Sequence, residues 1–294
     1  MLRLFFDTDS DVDLKTAREY GAGLISMPYT LDGKLVCPYE DYEEFDYPPF
    51  YDTLRRIAAE GGELPTTSSV NTETYKRYFE PYFKQGDEIL YVHFSEKMSQ
   101  TFENMRAAVA ELKEKYPDAV FREFDTRAIT ALSYTIAKEA GELYKAGKTA
   151  DEIIAHLEKE TGHYSMYFFA DNLKFFKRSG RVGGLAATMG TLLGVRPIIY
   201  INEEGQMVSI GKERGRINAV EALVRYAEEL GDDVAGHRIV VAHTGAPEIA
   251  DQLIELVRER FGADLDIEKI VVNPTAGCHC GPDSVGLCFH SKRR

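Results

Sequence analysis

An apolar run that gives way to a short polar loop and then to a helical pattern recurs along the first half of the chain, and this grammar restricts the fold more than any other feature. Leu2 to Phe6, interrupted only by Arg3, leads through Asp7-Thr8-Asp9-Ser10 into a helical stretch from Leu14 to Tyr20. Glu88 to Phe94 ends in Ser95, and Thr101 to Tyr116 then carries Phe102, Met105, Val109 and Leu112 at helical spacing. Val120 to Phe124 passes through Asp125-Thr126-Arg127 into a helix that reaches Leu143. Strands that alternate with helices imply βαβ units and a parallel sheet, whose loops at the carboxyl ends of the strands form the ligand crevice. The pattern predicts an α/β domain over residues 1–160.

Beyond Thr161 the pattern changes. Tyr164 to Phe169 is an aromatic strand, and Gly180 to Gly194 is rich in glycine and small apolar residues. Pro197 to Ile201, the turn Asn202 to Gly205, and Met207 to Ile210 read as a hairpin. Helices over 217–230 and 247–261, with strands over 238–242, 267–272 and 285–289, complete an α+β domain with a mixed sheet over residues 161–294. With 294 residues and 44% hydrophobic content, two domains are the expectation from size as well. No low-complexity linker separates them, so a cleft between closely packed domains is the expected ligand site.

A net charge of −13 argues against a surface built to neutralise phosphates, so nucleic acid is not an expected partner. The opening apolar run is too short for a signal peptide or a membrane span, and no other stretch is long enough for stable membrane insertion. Three of the four cysteines crowd at Cys278, Cys280 and Cys288, unlike a secreted disulfide framework, and a cytoplasmic location is expected.

Asp7, Asp9, Asp11 and Asp13 alternate after the first strand. An EF-hand would require Gly and Glu where Val12 and Arg18 stand. A haloacid-dehalogenase phosphatase, a metal-dependent enzyme, would use Asp7 as nucleophile and Asp9 as general acid, but Asp11 replaces the usual Thr or Val. The plainer reading has Asp9 and Ser10 cap the following helix while Asp11 and Asp13 are solvated. Pro65-Thr66-Thr67-Ser68-Ser69 and Ser95 to Thr101 both place hydroxyls before helix starts. Such segments either cap helices or hold a carboxylate or phosphate with the help of the helix dipole, and spacing alone leaves both open.

Cys278-His279-Cys280 lacks an obvious fourth zinc ligand unless Cys288 and His290 fold back, so the cysteines read as small residues in a tight turn. His93 and His243 read as hydrogen-bonded strand-end histidines. Ser179 to Gly184 is neither a P-loop nor a dinucleotide fingerprint, and no serine sits in Gly-x-Ser-x-Gly. No metal, no cofactor and no self-contained catalytic residue is predicted.

Taken in order, several of these pieces resemble the DegV family from end to end. They are Asp9-Ser10, Thr67-Ser68, Met98 to Phe102, Leu173 through Arg178-Ser179-Gly180-Arg181, Arg196-Pro197-Ile198, and His279-Cys280-Gly281-Pro282. The resemblance implies a three-layer α/β/α first domain and an α+β second domain, with a long-chain fatty acid bound between them. Its carboxylate would contact Thr67 and Ser99, with Ser68 and Ser10 nearby, while Arg181 and His279 would stand by the head group or an acyl phosphate. The acyl tunnel would draw on the stripe Val182, Leu185, Met189, Leu192, Leu193, Val195, Ile198 and Ile199, whose plainer reading is ordinary core. A protein of this kind carries no intrinsic activity. It presents its fatty acid to the catalytic subunit of a separate ATP-dependent fatty acid kinase, and the acyl phosphate goes on to phospholipid synthesis.

Three departures from the family pattern stand out. Gln100 occupies the usual glycine of Leu-Ser-Gly-Thr, and Val70 the usual proline of Thr-Ser-x-Pro. Asp283 occupies the last glycine of Gly-Pro-Gly, where its charge would oppose a carboxylate unless Arg181 or another cation offsets it.

Overall fold

The computed structural model describes residues 1–183 and 194–294. Four of the expected tunnel residues, Leu185, Met189, Leu192 and Leu193, lie outside the described residues.

The first sheet joins β1 (Leu2–Asp7), β2 (Gly23–Ile25), β6 (Glu88–His93) and β7 (Phe121–Asp125) in the order β2-β1-β6-β7, all parallel. Helices α1 (Leu14–Tyr20), α3 (Thr72–Gln85) and α4 (Thr101–Lys115) accompany it. Between β2 and α3 the chain also builds α2 (Tyr47–Glu60) and a small sheet of β3 (Tyr29–Leu31), β4 (Lys34–Val36) and β5 (Thr66–Thr67). These strands of two or three residues carry too little periodicity to read from sequence. The second sheet orders its seven described strands β13-β12-β14-β8-β10-β11-β9, with β8 at Tyr164–Phe169, β9 at Val182–Gly183, β10 at Val195–Ile201 and β11 at Met207–Arg214. Strands β12 (Ile239–His243), β13 (Ile267–Val271) and β14 (Val285–His290) complete it. The β12–β13 and β9–β11 pairs are parallel and the rest antiparallel, a mixed sheet as expected.

Helix α5 (Thr130–Lys145) packs against β1 and β6 of the first sheet and against β8, β12 and β14 of the second. Its residues from Thr130 to Ala137 are buried, as are Ala140 and Gly141, because a helix between two sheets has no solvent face over that length. Small residues make the fit possible. A Cβ at Gly141 would lie 2.5 Å from the Tyr20 ring.

One apolar core therefore runs from Leu4, Phe6 and Leu90 to Met166, Phe168, Ile199 and Ile201 on the inner face of the second sheet. A separate core covers the outer face, built on Tyr167, Phe169 and Ile198 with Leu223 and Leu253 from the helices Arg216–Leu230 and Pro247–Phe261. Strand residues alternate between faces, and this alternation turns Ile198 outward.

Polar ties link the sheets. The Arg294 guanidinium donates to the carbonyls of Arg127 at 2.6 Å and Thr161 at 2.8 Å, and the Ser95 hydroxyl donates to the Gly205 carbonyl at 2.8 Å. Gly205 has φ of +80°, and a Cβ there would meet Ser95 Oγ and the Arg127 backbone, so the hairpin tip docks only with glycine. We propose a domain boundary near residue 160, where α6 (Ala150–Glu160) ends ahead of β8.

Two local expectations are corrected. Asp11 is not solvated. It is 9% exposed, and its Oδ1 accepts from Asn273 N at 2.8 Å and Asn273 Nδ2 at 2.7 Å. The cap of α1 is Asp13, which accepts from Thr16 N at 2.7 Å. The Cys278–Cys280 segment is not a turn but the end of a helix, Pro274–Cys280, started by Asn273 as cap and Pro274 at its first position.

Candidate functional site

The carboxyl ends of β1 and β6, the inner face of the second sheet and the Pro274–Cys280 helix enclose a cavity of about 550 Å³. One wall is polar. Thr67, Ser68 and Ser69 come from β5 and the turn after it, Ser99 and Gln100 from the loop before α4, and Asp9 from the turn after β1. His279 and Arg181 complete this end. The other wall is largely apolar, with Met166, Phe168, Met207, Ala242, Val272 and Val285.

Thr67 Oγ1 and His279 Nε2 are 2.9 Å apart and hydrogen-bonded. Burial, reinforced by the nearby positive charges of Arg181 and Arg178, pushes the His279 imidazole down to about 4. His279 is therefore neutral near pH 7, and the positive charges of the lining come from Arg181, Lys97 and Arg106. Arg181 is exposed, and its guanidinium donates to the Ser179 carbonyl at 2.6 Å. The Ser99 oxygen accepts from Thr101 N at 3.2 Å just ahead of α4, which leaves its hydroxyl proton free to donate into the cavity.

Ser68 lies exposed at the cavity, its amide donating to the Pro28 carbonyl at 3.3 Å. Ser10 does not line it. That side chain is buried behind the site, 3.1 Å from Asp7 Oδ1 and 2.9 Å from Ser133 Oγ. Ile198 lies in the outer core, away from the cavity.

The three aspartates of the turn after β1 are all buried but unequally served. Asp7 accepts from Ser10 N at 2.9 Å and, at 3.1 Å each, from Ser10 Oγ, Tyr91 Oη and Phe94 N. Burial nevertheless raises Asp7 and Asp11 to about 7. Asp9 Oδ1 has no partner, and burial, with the neighbouring Asp7 and Asp11, drives Asp9 well up as well.

With four protein donors on its carboxyl, Asp7 is poorly placed as a phosphatase nucleophile. Among the described residues no three His, Cys, Asp or Glu side chains are grouped to hold a metal ion. His93 and His243 are hydrogen-bonded strand-end residues, each lowered to about 4 by burial. Asp283 is offset by Arg55 at 2.9 Å and Arg216 at 3.4 Å, not by Arg181. Its φ of +65° is the left-handed conformation that favours glycine. Gln100 has ordinary backbone angles as the cap residue of α4 and lines the cavity.

Sequence reasoning missed Met27, Thr244, Thr275 and Ser284, which also line the cavity. Thr275 could have been found from the Asn273-Pro274 helix start. Met27 and Thr244 follow strands by only one or two residues and carried no signal of their own.

The cavity between the two larger sheets has one polar and one largely apolar wall, a lining suited to an amphipathic small molecule. The model of the DegV family, described as uncharacterised, matches residues 2–292, and the chain belongs to that family. It is 31% identical over 289 residues to a DegV domain-containing protein of Clostridium perfringens, covering 97% of this chain and 96% of the other. Its fold is that of a DegV family protein from Thermus thermophilus described for fatty acid binding, with TM-score 0.84 at 24% identity over 99% of both chains. It is also that of a stearic acid-binding protein from Eubacterium ventriosum, with TM-score 0.85 at 18% identity over 99% of both chains.

Proposed function

We propose that the protein binds a long-chain fatty acid in this cavity and presents the carboxylate to the catalytic subunit of a separate ATP-dependent fatty acid kinase. The observation that carries the reading is the division of one cavity into a hydroxyl-lined end and an apolar end. Thr67 and Ser99 are suited to donate to the carboxylate, and charge-assisted bonds of this kind are the stronger class. The inner face of the second sheet receives the methylenes. The fatty acids bound by the Thermus and Eubacterium proteins of the same fold support the choice of ligand.

Presentation to a kinase rests on the same geometry. The head-group end lies beside exposed Arg181, whose permanent charge suits a developing acyl phosphate. Neutral His279 is suited to hold Thr67 in place. Among the described residues no helix is long and apolar enough to cross a membrane. A protein that works on a fatty acid with a nucleotide-dependent partner belongs in the cytoplasm.

The test titrates hexadecanoic acid into delipidated protein and follows thermal unfolding, then adds ATP and a fatty acid kinase catalytic subunit. A rise in unfolding temperature followed by acyl phosphate formation supports both halves of the proposal. Arg181→Ala should keep the thermal rise while lowering acyl phosphate formation by roughly 10²-fold, about 3 kcal/mol of transition-state stabilisation. No thermal rise would sink the binding half. A rise without phosphorylation by any such kinase would sink the presentation half.

A further inference from the structure

The turn after β1 sets three carboxyls side by side, yet only one of them faces the cavity without a protein partner. Asp7 is filled by four donors, and Asp11, which does not line the cavity, takes both nitrogens of Asn273 on Oδ1 and leaves Oδ2 unpaired. Asp9 is 8% exposed, lines the cavity, and its Oδ1 receives no hydrogen bond. A buried oxygen left unpaired costs free energy, and such atoms in folded proteins generally meet a partner. The charge of Arg181 acts on Asp9, which places this carboxyl at the head-group end of the ligand cavity.

We propose that Asp9 is a head-group residue whose carboxyl shares one proton with the carboxylate of the bound acid. This deepens the fatty-acid reading and rests on it. The proton balance is simple: the acid enters as its anion, Asp9 carries the proton, and the complex holds one proton between two carboxyl groups, as like-charged pairs in buried sites do. The polar groups around Asp9 fit this state. Asp7 and Asp11 on its own turn oppose a second negative charge, while Cys278 and Cys280 on the Pro274–Cys280 helix are thiols that burial pushes up. Across the cavity, neutral His279 adds no charge, and Arg181 is the one cation that acts on Asp9 in the described surroundings. An ionised Asp9 beside the ligand would repel it, so the site selects a carboxylate only while Asp9 holds its proton. A fatty alcohol or amide brings no anion to accept that proton.

The complex retains a proton that the free protein loses as Asp9 ionises, so affinity falls as pH rises through that ionisation, by about tenfold per pH unit. The experiment measures binding of carboxyl-¹³C-labelled hexadecanoate to the whole chain across pH, with Asp9→Asn and Asp9→Ala alongside. Ratios to wild type cancel changes in the free acid. Asp9→Asn keeps the shape and an N–H donor, so it should bind within a few-fold of wild type at low pH and lack the alkaline fall. Asp9→Ala should bind about tenfold more weakly at low pH and also lack it. The wild-type ¹³C resonance should shift with the same midpoint as the affinity, a readout that stands even if a variant fails to fold. A constant ratio between wild type and Asp9→Asn, or a wild-type resonance that does not move with the affinity, overturns this inference while leaving fatty acid binding intact. Absence of hexadecanoate binding by the wild type overturns the functional reading, and this inference with it.

Discussion

The two walls of the cavity are made by different means. The polar wall is assembled from strand ends, helix starts and the end of one short helix, contributed by stretches as far apart in sequence as Asp9, Thr67, Ser99 and His279. The apolar wall is one face of a sheet, where Met166 and Phe168 point inward while Tyr167 and Phe169 between and after them point out. On the proposed function, the contrast means that position at the polar wall rests on a few hydrogen bonds, whereas the apolar wall acts through area and tolerates change. Chemistry and capacity are thereby assigned to separate parts of the chain.

The largest expected effect tests the apolar wall. Burying each methylene is worth roughly 0.8 kcal/mol, so lengthening a saturated ligand from decanoic to hexadecanoic acid should tighten binding by roughly 10³-fold. Calorimetric titration over that series measures the slope. An affinity that does not change with length would mean that the sheet face does not hold the chain.

The polar wall answers to single substitutions. Thr67→Ala or Ser99→Ala removes one charge-assisted bond, worth roughly 1.5–3 kcal/mol, and should weaken hexadecanoate binding by about tenfold to a hundredfold at unchanged folding. Ile198→Ala, on the outer face, serves as the control and should leave affinity within about twofold once folding is matched. Equal losses for the three would erase the distinction between the walls.

An effect of another kind, on stability and not on affinity, concerns the support beneath the polar wall. Burial holds Asp7 at about 7 in the folded chain, above its value when unfolded, so the native state keeps its proton longer. Stability should accordingly fall as pH rises between the ordinary carboxylate range and about 7, and Asp7→Asn should flatten that slope. Denaturant midpoints at several pH values check it, and an unchanged slope would show that Asp7 is not the group responsible.

The smallest effect belongs to Asp283. Its bonds to Arg55 and Arg216 lie at a partly exposed rim, so Asp283→Ala should change stability by no more than about 1 kcal/mol. Lipid affinity should not change, because these cations and not Arg181 neutralise it. A large loss of affinity would place Asp283 in the head-group site after all.

Much of this division could be read from the sequence, for identifiable reasons. The recurrent strand–loop–helix grammar determines the first sheet, and the hydroxyls before α3 and α4 lie where a parallel sheet places its crevice. The stripe that ends in Ile198 and Ile199 marked apolar residues without their faces. Only the pairing of β10 with β8 and β11 shows that Ile199 turns inward and Ile198 outward. The family resemblance implies a place for Ser10 near the carboxylate. A turn of 3₁₀ helix at Thr8–Ser10 instead sends its hydroxyl back to Asp7 and Ser133. The partners of Asp11 lie 262 residues away, at Asn273, beyond the reach of any local pattern.

The most direct measurement of the central claim is native mass spectrometry of the protein purified without denaturation or added lipid. The account predicts a chain carrying one long-chain fatty acid, released by mild activation, and occupancy that drops when Thr67 and Ser99 are both replaced by alanine. A wild-type chain that flies only at its bare mass, and takes up no long-chain acid when one is supplied, would contradict it.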